Sequence, residues 1–320
     1  MQAASHYYLV ITGIILQIIL IIPIFLFIWR FIIRKYLHPN PINKYKRTNA
    51  YAIVTGASEG VGKAYAERLA KEGFNLILIA RRKELLEKIK NHLESEYKID
   101  VIILNYDLCK MTEEQWNEID NLMKEKEVTA LFNNAGVLYR GYYDQIDVEN
   151  VSNSVKLNIE ASLKMTHLFI PHTKEDKKYL IVFMSSMTGE SVSSGVSVYG
   201  ATKAFIKQFG KSISYEYKHI DCTVITPWYI ATEMVNQTTP SFGVVSPSKL
   251  VECIFQHVGL TNCIDPYFIH YFEDWGYKTM SDRLKGKSSL VEWLGVEGAK
   301  RKTHKLNLIQ FSSNILVLSF

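Results

Sequence analysis

The stretch SVYGATKAF, residues 197–205, sets Tyr199 four positions ahead of Lys203. On a helix, residues four apart share one face. A phenol beside an ammonium group is suited to donating a proton: free tyrosine titrates near ~10, and a close cation favours the phenolate by about 1–3 units. Spacing alone is ambiguous, because Tyr106 and Lys110 in YDLCK repeat it. A second stretch with chemical potential is TGASEGVG, where Gly56, Gly60 and Gly62 follow an apolar run and precede an amphipathic one. Glycine at such positions lets the backbone approach a pyrophosphate, and a helix N-terminus offers it free N–H groups.

The elements that must position these groups follow from the hydropathy pattern. From Ala50 onward, short apolar runs (AYAIVTG, NLILIAR, VIILNYD, VTALFNN, YLIVFMSS, CTVITP) alternate with amphipathic stretches such as GKAYAERLAKEG and KELLEKIKNHLESEY. The alternation predicts a Rossmann-like, doubly wound α/β fold, a parallel sheet with helices on both faces. No Pro/Gly/Ser-rich linker interrupts it, so residues 50–305 are expected to form one domain.

TGASEGVG with its T-G-x-x-x-G-x-G spacing, NNAG at 133–136, MSS at 184–186 and YGATK at 199–203 together resemble the short-chain dehydrogenase/reductase family, over roughly residues 50 to 235. The resemblance implies that Ser186, thirteen positions before Tyr199, holds the substrate carbonyl, that Tyr199 is the acid, and that Lys203 assists it while binding the nicotinamide ribose. Asn158 in KLNIEAS matches the family asparagine of a water-linked proton relay; the plain alternative is a helix-interior Asn with a structural hydrogen bond. It further implies cofactor contacts from Gly56, Ser58, Gly60, Val61, Gly62, Asp107 (adenine), Asn134, Ala135, Gly136, Pro227 and Thr232 (carboxamide). Tyr106 and Lys110 lack a serine so placed, which selects the other pair.

Cofactor choice is read at the end of the second apolar run, LILIARR. An acid there would accept from a ribose 2′-OH and repel a 2′-phosphate. Ala80 takes that place, and Arg81 follows with a guanidinium suited to phosphate oxygens. NADP, as NADPH, is the expected cofactor. Glu59 in the glycine loop argues the other way, and Arg82 reads as a surface residue.

A narrower resemblance rests on ITPWYIATEM, with Pro227-Trp228 where Pro-Gly is usual, on HVGL at 257–260 and on PYFIHYF at 266–272. It is similar to the branch of 17β-hydroxysteroid dehydrogenases and very-long-chain 3-oxoacyl-CoA reductases, which implies an endoplasmic reticulum membrane location and a lipid-like substrate, acyl-CoA or steroid. The segment from Tyr229 to about Pro247, rich in Thr, Ser and Gly, is expected to cover the substrate. The chain departs from the branch by ending in LVLSF instead of a dilysine signal.

Leu9–Trp29 is a 21-residue apolar run whose one strongly polar member is Gln17, and about 20 residues suffice to cross a bilayer core. Residues 1–35 are therefore expected to be a single-pass anchor, 36–49 a basic linker, and the domain cytosolic, because the nearby basic residues all follow the run. The first 49 residues hold six basic side chains (Arg30, Arg34, Lys35, Lys44, Lys46, Arg47) and no acidic one. Against a formal charge of +5 this leaves a near-neutral body, which argues against nucleic-acid binding. Four cysteines with no C-x-x-C spacing and no H-E-x-x-H suggest no metal site. The tail 306–320 is apolar but too short to span. A membrane, a second copy of the chain or elongase-complex partners are the expected associations. The leading function is a membrane-anchored, NADPH-dependent 3-oxoacyl-CoA reductase; a steroid ketone reductase and a silent nucleotide-binding scaffold are the alternatives.

Overall fold

The computed structural model describes residues 40–271 apart from Asn236, together with Glu273 and scattered positions between Tyr7 and His38. About half of the apolar run, Phe272, the end of the expected domain at 274–305 and the 306–320 tail lie outside the described residues. Residues up to Pro41 form one unit and those from Ile42 another. In the first, a π turn at Trp29–Ile33 leads into a helical turn at Arg34–Leu37, and Ile21, Ile24, Phe25 and Ile32 are exposed. Among the described residues, no helix is long and apolar enough to cross a membrane.

The second unit is built on seven parallel strands: β1 (Ala50–Thr55), β2 (Asn75–Ile79), β3 (Val101–Leu104), β4 (Glu127–Asn133), β5 (Tyr179–Met184), β6 (Ile220–Ile225) and, later in the chain, β9 (Cys263–Ile264). Their order is β3-β2-β1-β4-β5-β6-β9. Sheets of this kind are covered on both faces, so their strands are apolar throughout. All six residues of β1 are buried, with Ala50, Ala52 and Val54 in one core and Tyr51 and Ile53 in the other. The helices that cover them are α1 (Gly60–Lys71), α2 (Lys83–Tyr97), α3 (Glu113–Glu125), α4 (Val148–Val155), α5 (Ala161–Phe169), α6 (Ser197–Glu216) and α7 (Pro247–Phe255). Local sequence sets several of their ends: Thr112 and Gln115 form a capping box on α3, and Ser246 caps α7 ahead of Pro247. A two-stranded parallel pair, β7 (Tyr229–Ile230) with β8 (Val244–Val245), stands beside the sheet.

The order reverses between β1 and its neighbours β2 and β4, and such a switch point opens a crevice at the C-terminal ends of the strands. The opposite edge carries the residues that precede β1. Ile42 and Tyr45 are fully buried, Tyr45 donates to Asp221 at 2.8 Å, and Arg47 pairs with Glu127 at 2.7 Å while lying 4.5 Å from the centre of the Tyr179 ring. Part of the basic stretch 36–49 is thus packed into the body.

Candidate active site

The glycine loop joins β1 to α1 at the switch point. Gly56 and Gly60 have φ of +67° and +54°, in the left-handed region that favours glycine. A Cβ on Gly56 would stand 3.0 Å from Ala135 Cα, and one on Gly62 would stand 2.1 Å from the Gly56 carbonyl oxygen. Thr55 ties the NNAG turn to this loop: its hydroxyl accepts from the N–H groups of Asn134 and Ala135, both at 3.0 Å, and donates to the Phe132 carbonyl at 3.2 Å. The Asn134 side chain donates to the Thr55 carbonyl at 2.9 Å. No side chain caps the N-terminus of α1, whose Ncap is Glu59. A cradle with no Cβ in the way and open helix N–H groups fits a dinucleotide pyrophosphate.

A cavity of about 1150 Å³ runs from this loop to the middle of the sheet edge. Its wall brings together Gly56, Ser58, Gly60, Val61, Arg81, Asp107, Asn134, Ala135, Gly136, Ser186, Tyr199, Lys203, Pro227 and Thr232, from the sequence expectation. Gly62 and Asn158 stand outside that wall. Gly62 packs α1 onto the loop, and Asn158 lies behind the cavity in a π turn, Lys156–Glu160, between α4 and α5. Asn158 accepts from Val137 N–H at 2.8 Å and donates to the Val137 carbonyl and to Thr202, each at 3.0 Å. It therefore holds the strand end to α6. Tyr106 also reaches the cavity wall, at the Asp107 end, where its hydroxyl bonds Glu118.

At the Asp107 end of the cavity, Arg81 is exposed and its carbonyl accepts from Asn105 at 2.7 Å. Arg82 is paired with Glu59 and lines the cavity with it, so the acid that argued against a phosphate is held by a guanidinium. Arg82 is exposed, as the sequence suggests, but its partner lies 23 positions away, which no local pattern shows.

At the centre, Tyr199 and Lys203 lie one turn apart on α6. Lys203 is buried and donates to the Met184 carbonyl at 2.7 Å, and burial pulls its amine down to about 8. Its nitrogen is 5.5 Å from the centre of the Tyr199 ring. Burial pushes the Tyr199 hydroxyl up to about 12, while a hydrogen bond with Ser186 and the charge of Arg140 pull it back. The expected relief from Lys203 is thus supplied by two other groups. Ser186 Oγ accepts from Thr188 twice, from its hydroxyl at 3.0 Å and its N–H at 3.3 Å. Arg140 and Thr188 both line the cavity and were missed in the sequence, where neither belongs to a motif. The apolar part of the cavity is walled by Leu138, Val196, Trp228, Met234 and Phe242, with Glu273, whose carboxyl burial raises to about 7.

A family model described as short chain dehydrogenase matches residues 50–241. Hydroxysteroid dehydrogenase-like protein 1 of Gallus gallus is 32% identical over 75% of this chain and 73% of its own length. Its Homo sapiens namesake, whose name adds the word inactive, is 31% identical over 79% and 76%. Very-long-chain 3-oxoacyl-CoA reductase of Anas platyrhynchos is 31% identical over 72% and 76%. Among solved structures, a short-chain dehydrogenase from Sphingobium yanoikuyae in complex with NADPH superposes with a TM-score of 0.60 at 28% identity, covering 65% of this chain and 84% of that one.

Proposed function

This chain belongs to the short-chain dehydrogenase family, as an oxidoreductase of ketone and hydroxyl groups, and from that premise we propose that it reduces very-long-chain 3-oxoacyl-CoA thioesters with NADPH. The observation that carries the reading is the convergence of Ser186, Tyr199 and Lys203 on one cavity continuous with the glycine loop. The nicotinamide, when bound, supplies the hydride. Ser186 accepts twice from Thr188 and donates to the Pro227 carbonyl at 3.5 Å, a long bond that its hydroxyl can exchange for the substrate carbonyl. Tyr199 gives its proton to the developing alkoxide, so the carbonyl carbon gains a hydride and the oxygen a proton. The phenolate left behind is stabilised by the Arg140 charge. Lys203 would hold the nicotinamide ribose and borders the same proton path. Asn158 acts from behind, holding Thr202 on the turn of α6 between them.

The apolar substrate end suits an acyl chain, and the name of the duck relative supports the thioester. Reduction of a steroid ketone is the second reading, favoured by the name of the chicken relative. A silent scaffold is disfavoured by the intact Ser186, Tyr199 and Lys203 arrangement. The exposed Ile21, Ile24, Phe25 and Ile32 support a membrane anchor in residues 1–35, with the domain on the cytosolic side of the endoplasmic reticulum. The deciding assay offers the purified protein NADPH with 3-oxoacyl-CoA thioesters and a steroid ketone side by side. Thioester turnover supports the proposal; steroid turnover alone moves it to the second reading, and turnover of neither overturns both.

A further inference from the structure

One buried titratable side chain takes no part in that chemistry. His270 is fully buried in the helical turn that follows β9, where Tyr271 N–H bonds the Tyr267 carbonyl at 3.1 Å. It reaches both limbs of the segment that covers the substrate end. Its Nδ1 accepts from Trp228 N–H at 3.3 Å, and its Nε2 lies 3.2 Å from the Gly243 carbonyl oxygen. These partners fix the tautomer: an amide N–H only donates and a carbonyl only accepts, so Nδ1 is bare and Nε2 carries the hydrogen. Burial agrees, pulling the imidazole down to about 4 and keeping it neutral.

The position of the ring is informative. Trp228 and Gly243 directly precede Tyr229 and Val244, the first pair of the β7–β8 ladder. The next rung would join 228 to 243, and there the imidazole bridges the limbs through two hydrogen bonds where a ladder uses backbone alone. The ring is itself held. Tyr267 meets it edge-on at 4.9 Å between centres, and Tyr267 N–H is in turn bonded at 3.2 Å to Asp265, next to the sheet strand β9. The limbs are therefore referenced to the main sheet. Trp228, Tyr229, Phe242, Gly243 and Val244 all line the cavity, so the spacing of the limbs is the width of its substrate end.

We propose that His270, by bridging Trp228 N–H and the Gly243 carbonyl, is the positioning residue that sets the width of the substrate end and so which ketones it admits. This rests on the reductase reading above. Three variants of the full chain test it. His270→Leu removes both bonds, His270→Asn keeps an acceptor near the Nδ1 position, and His270→Gln keeps a donor near the Nε2 position. Amide hydrogen exchange at Trp228, which needs no substrate, is expected to rise about 10-fold or more in the Leu variant and to stay near wild type in the Asn variant. With NADPH and a 3-oxoacyl-CoA, KM is expected to rise about 5- to 20-fold with kcat within about 3-fold, and the NADPH dissociation constant to stay within about 2-fold. The Asn and Gln variants should fall between Leu and wild type. They also serve as the test if the Leu variant does not fold. Unchanged exchange at Trp228, unchanged KM despite faster exchange, or a loss confined to kcat would each overturn the proposal. Were the wild type to reduce no ketone, the reductase reading would fail separately, and exchange at Trp228 would still decide the bridge.

Discussion

Tyr199 has to release a proton from a place where burial holds that proton on. Because Ser186 and Arg140 oppose the burial, Tyr199→Phe is expected to lower kcat by about 100- to 10,000-fold while leaving NADPH binding nearly unchanged. Tyr106→Phe, bonded instead to Glu118, should be close to neutral for chemistry; near-normal turnover by the Tyr199 variant would remove the assignment. Lys203 makes a second test, through stability. Its folded value, about 8, lies below its unfolded value of 10.5. Below about pH 8 both states are charged and the full cost of the buried cation is present. Between the two values the unfolded chain binds more protons, so stability rises with pH. In urea unfolding of the cofactor-free protein, wild type should gain relative to Lys203→Met across that window by up to about 1.4 kcal/mol per pH unit. Parallel pH dependence in the two would contradict it. For the cofactor, wild type should prefer NADPH by about 10-fold in kcat/KM, and Arg81→Ala should lose most of that preference, with a further part lost in Arg82→Ala. Equal use of NADH by wild type would end that reading. The motif residues were legible because their spacing is local. Arg140, Thr188 and the Glu59–Arg82 pair were not, since only the folded chain brings them to the cavity.

The turn that carries Ser186 reaches its position by being pressed onto α6. Gly189 makes this approach possible: a Cβ there would stand 2.6 Å from Ala204 N and 2.7 Å from the Lys203 carbonyl carbon, and a Cβ on Gly200 would stand 2.8 Å from the Thr188 carbonyl oxygen. Backbone on both sides leaves no side chain to give way. Ser185 donates to the Lys203 carbonyl at 2.7 Å, and Lys207 pairs with Glu190 at 2.6 Å, closing the same contact from both ends. Gly189→Ala is therefore expected to destabilise the protein by about 1–3 kcal/mol and to lower kcat/KM by about 100-fold, by moving Ser186 relative to Tyr199. Urea midpoints and initial rates measure the two effects, and a stable, fully active variant would show that the turn is free to shift. The Tyr199–Lys203 pair of α6 was legible from its place thirteen residues after Ser186 in the family pattern, since its spacing alone recurs at Tyr106 and Lys110, outside any helix. The π turn at Lys156–Glu160 was not, because KLNIE carries an ordinary helical pattern and the bonds of Asn158 go to Val137, 21 positions away. The β7–β8 pair escaped for a different reason: two residues per strand give no periodicity, and the segment reads as a Thr-, Ser- and Gly-rich cover over the substrate.

At the scale of the chain, the alternation of apolar and amphipathic stretches carried the doubly wound sheet, since a parallel sheet covered on both faces writes its strands as unbroken apolar runs. The start of the body was harder to see. The stretch 36–49 reads in the sequence as a basic linker, yet Ile42 and Tyr45 are fully buried there, and their partners, such as Asp221, lie far along the chain. Gly259, with φ of +67°, is shaped around this contact: a Cβ on it would stand 1.7 Å from the Tyr45 hydroxyl oxygen. The Tyr45 hydroxyl meets Asp221 at the N-terminal edge of the sheet, where Lys44 and Lys178 also reach the carboxylate, at 2.5 and 3.7 Å. Arg47 closes the neighbouring contact on Glu127. The stretch 42–49 therefore completes the core, while the residues before it belong to a separate unit. Two truncations separate these roles. Removing residues 1–40 should leave the unfolding midpoint and the cofactor affinity of the domain unchanged. Removing 1–49 also takes away two fully buried side chains and two ion-paired ones, and should cost about 3–5 kcal/mol or more, with Tyr45→Ala alone accounting for much of it. If the shorter chain were as stable as the longer one, the packing of Ile42 and Tyr45 would be incidental, and the body would begin at β1 as the alternation from Ala50 suggests.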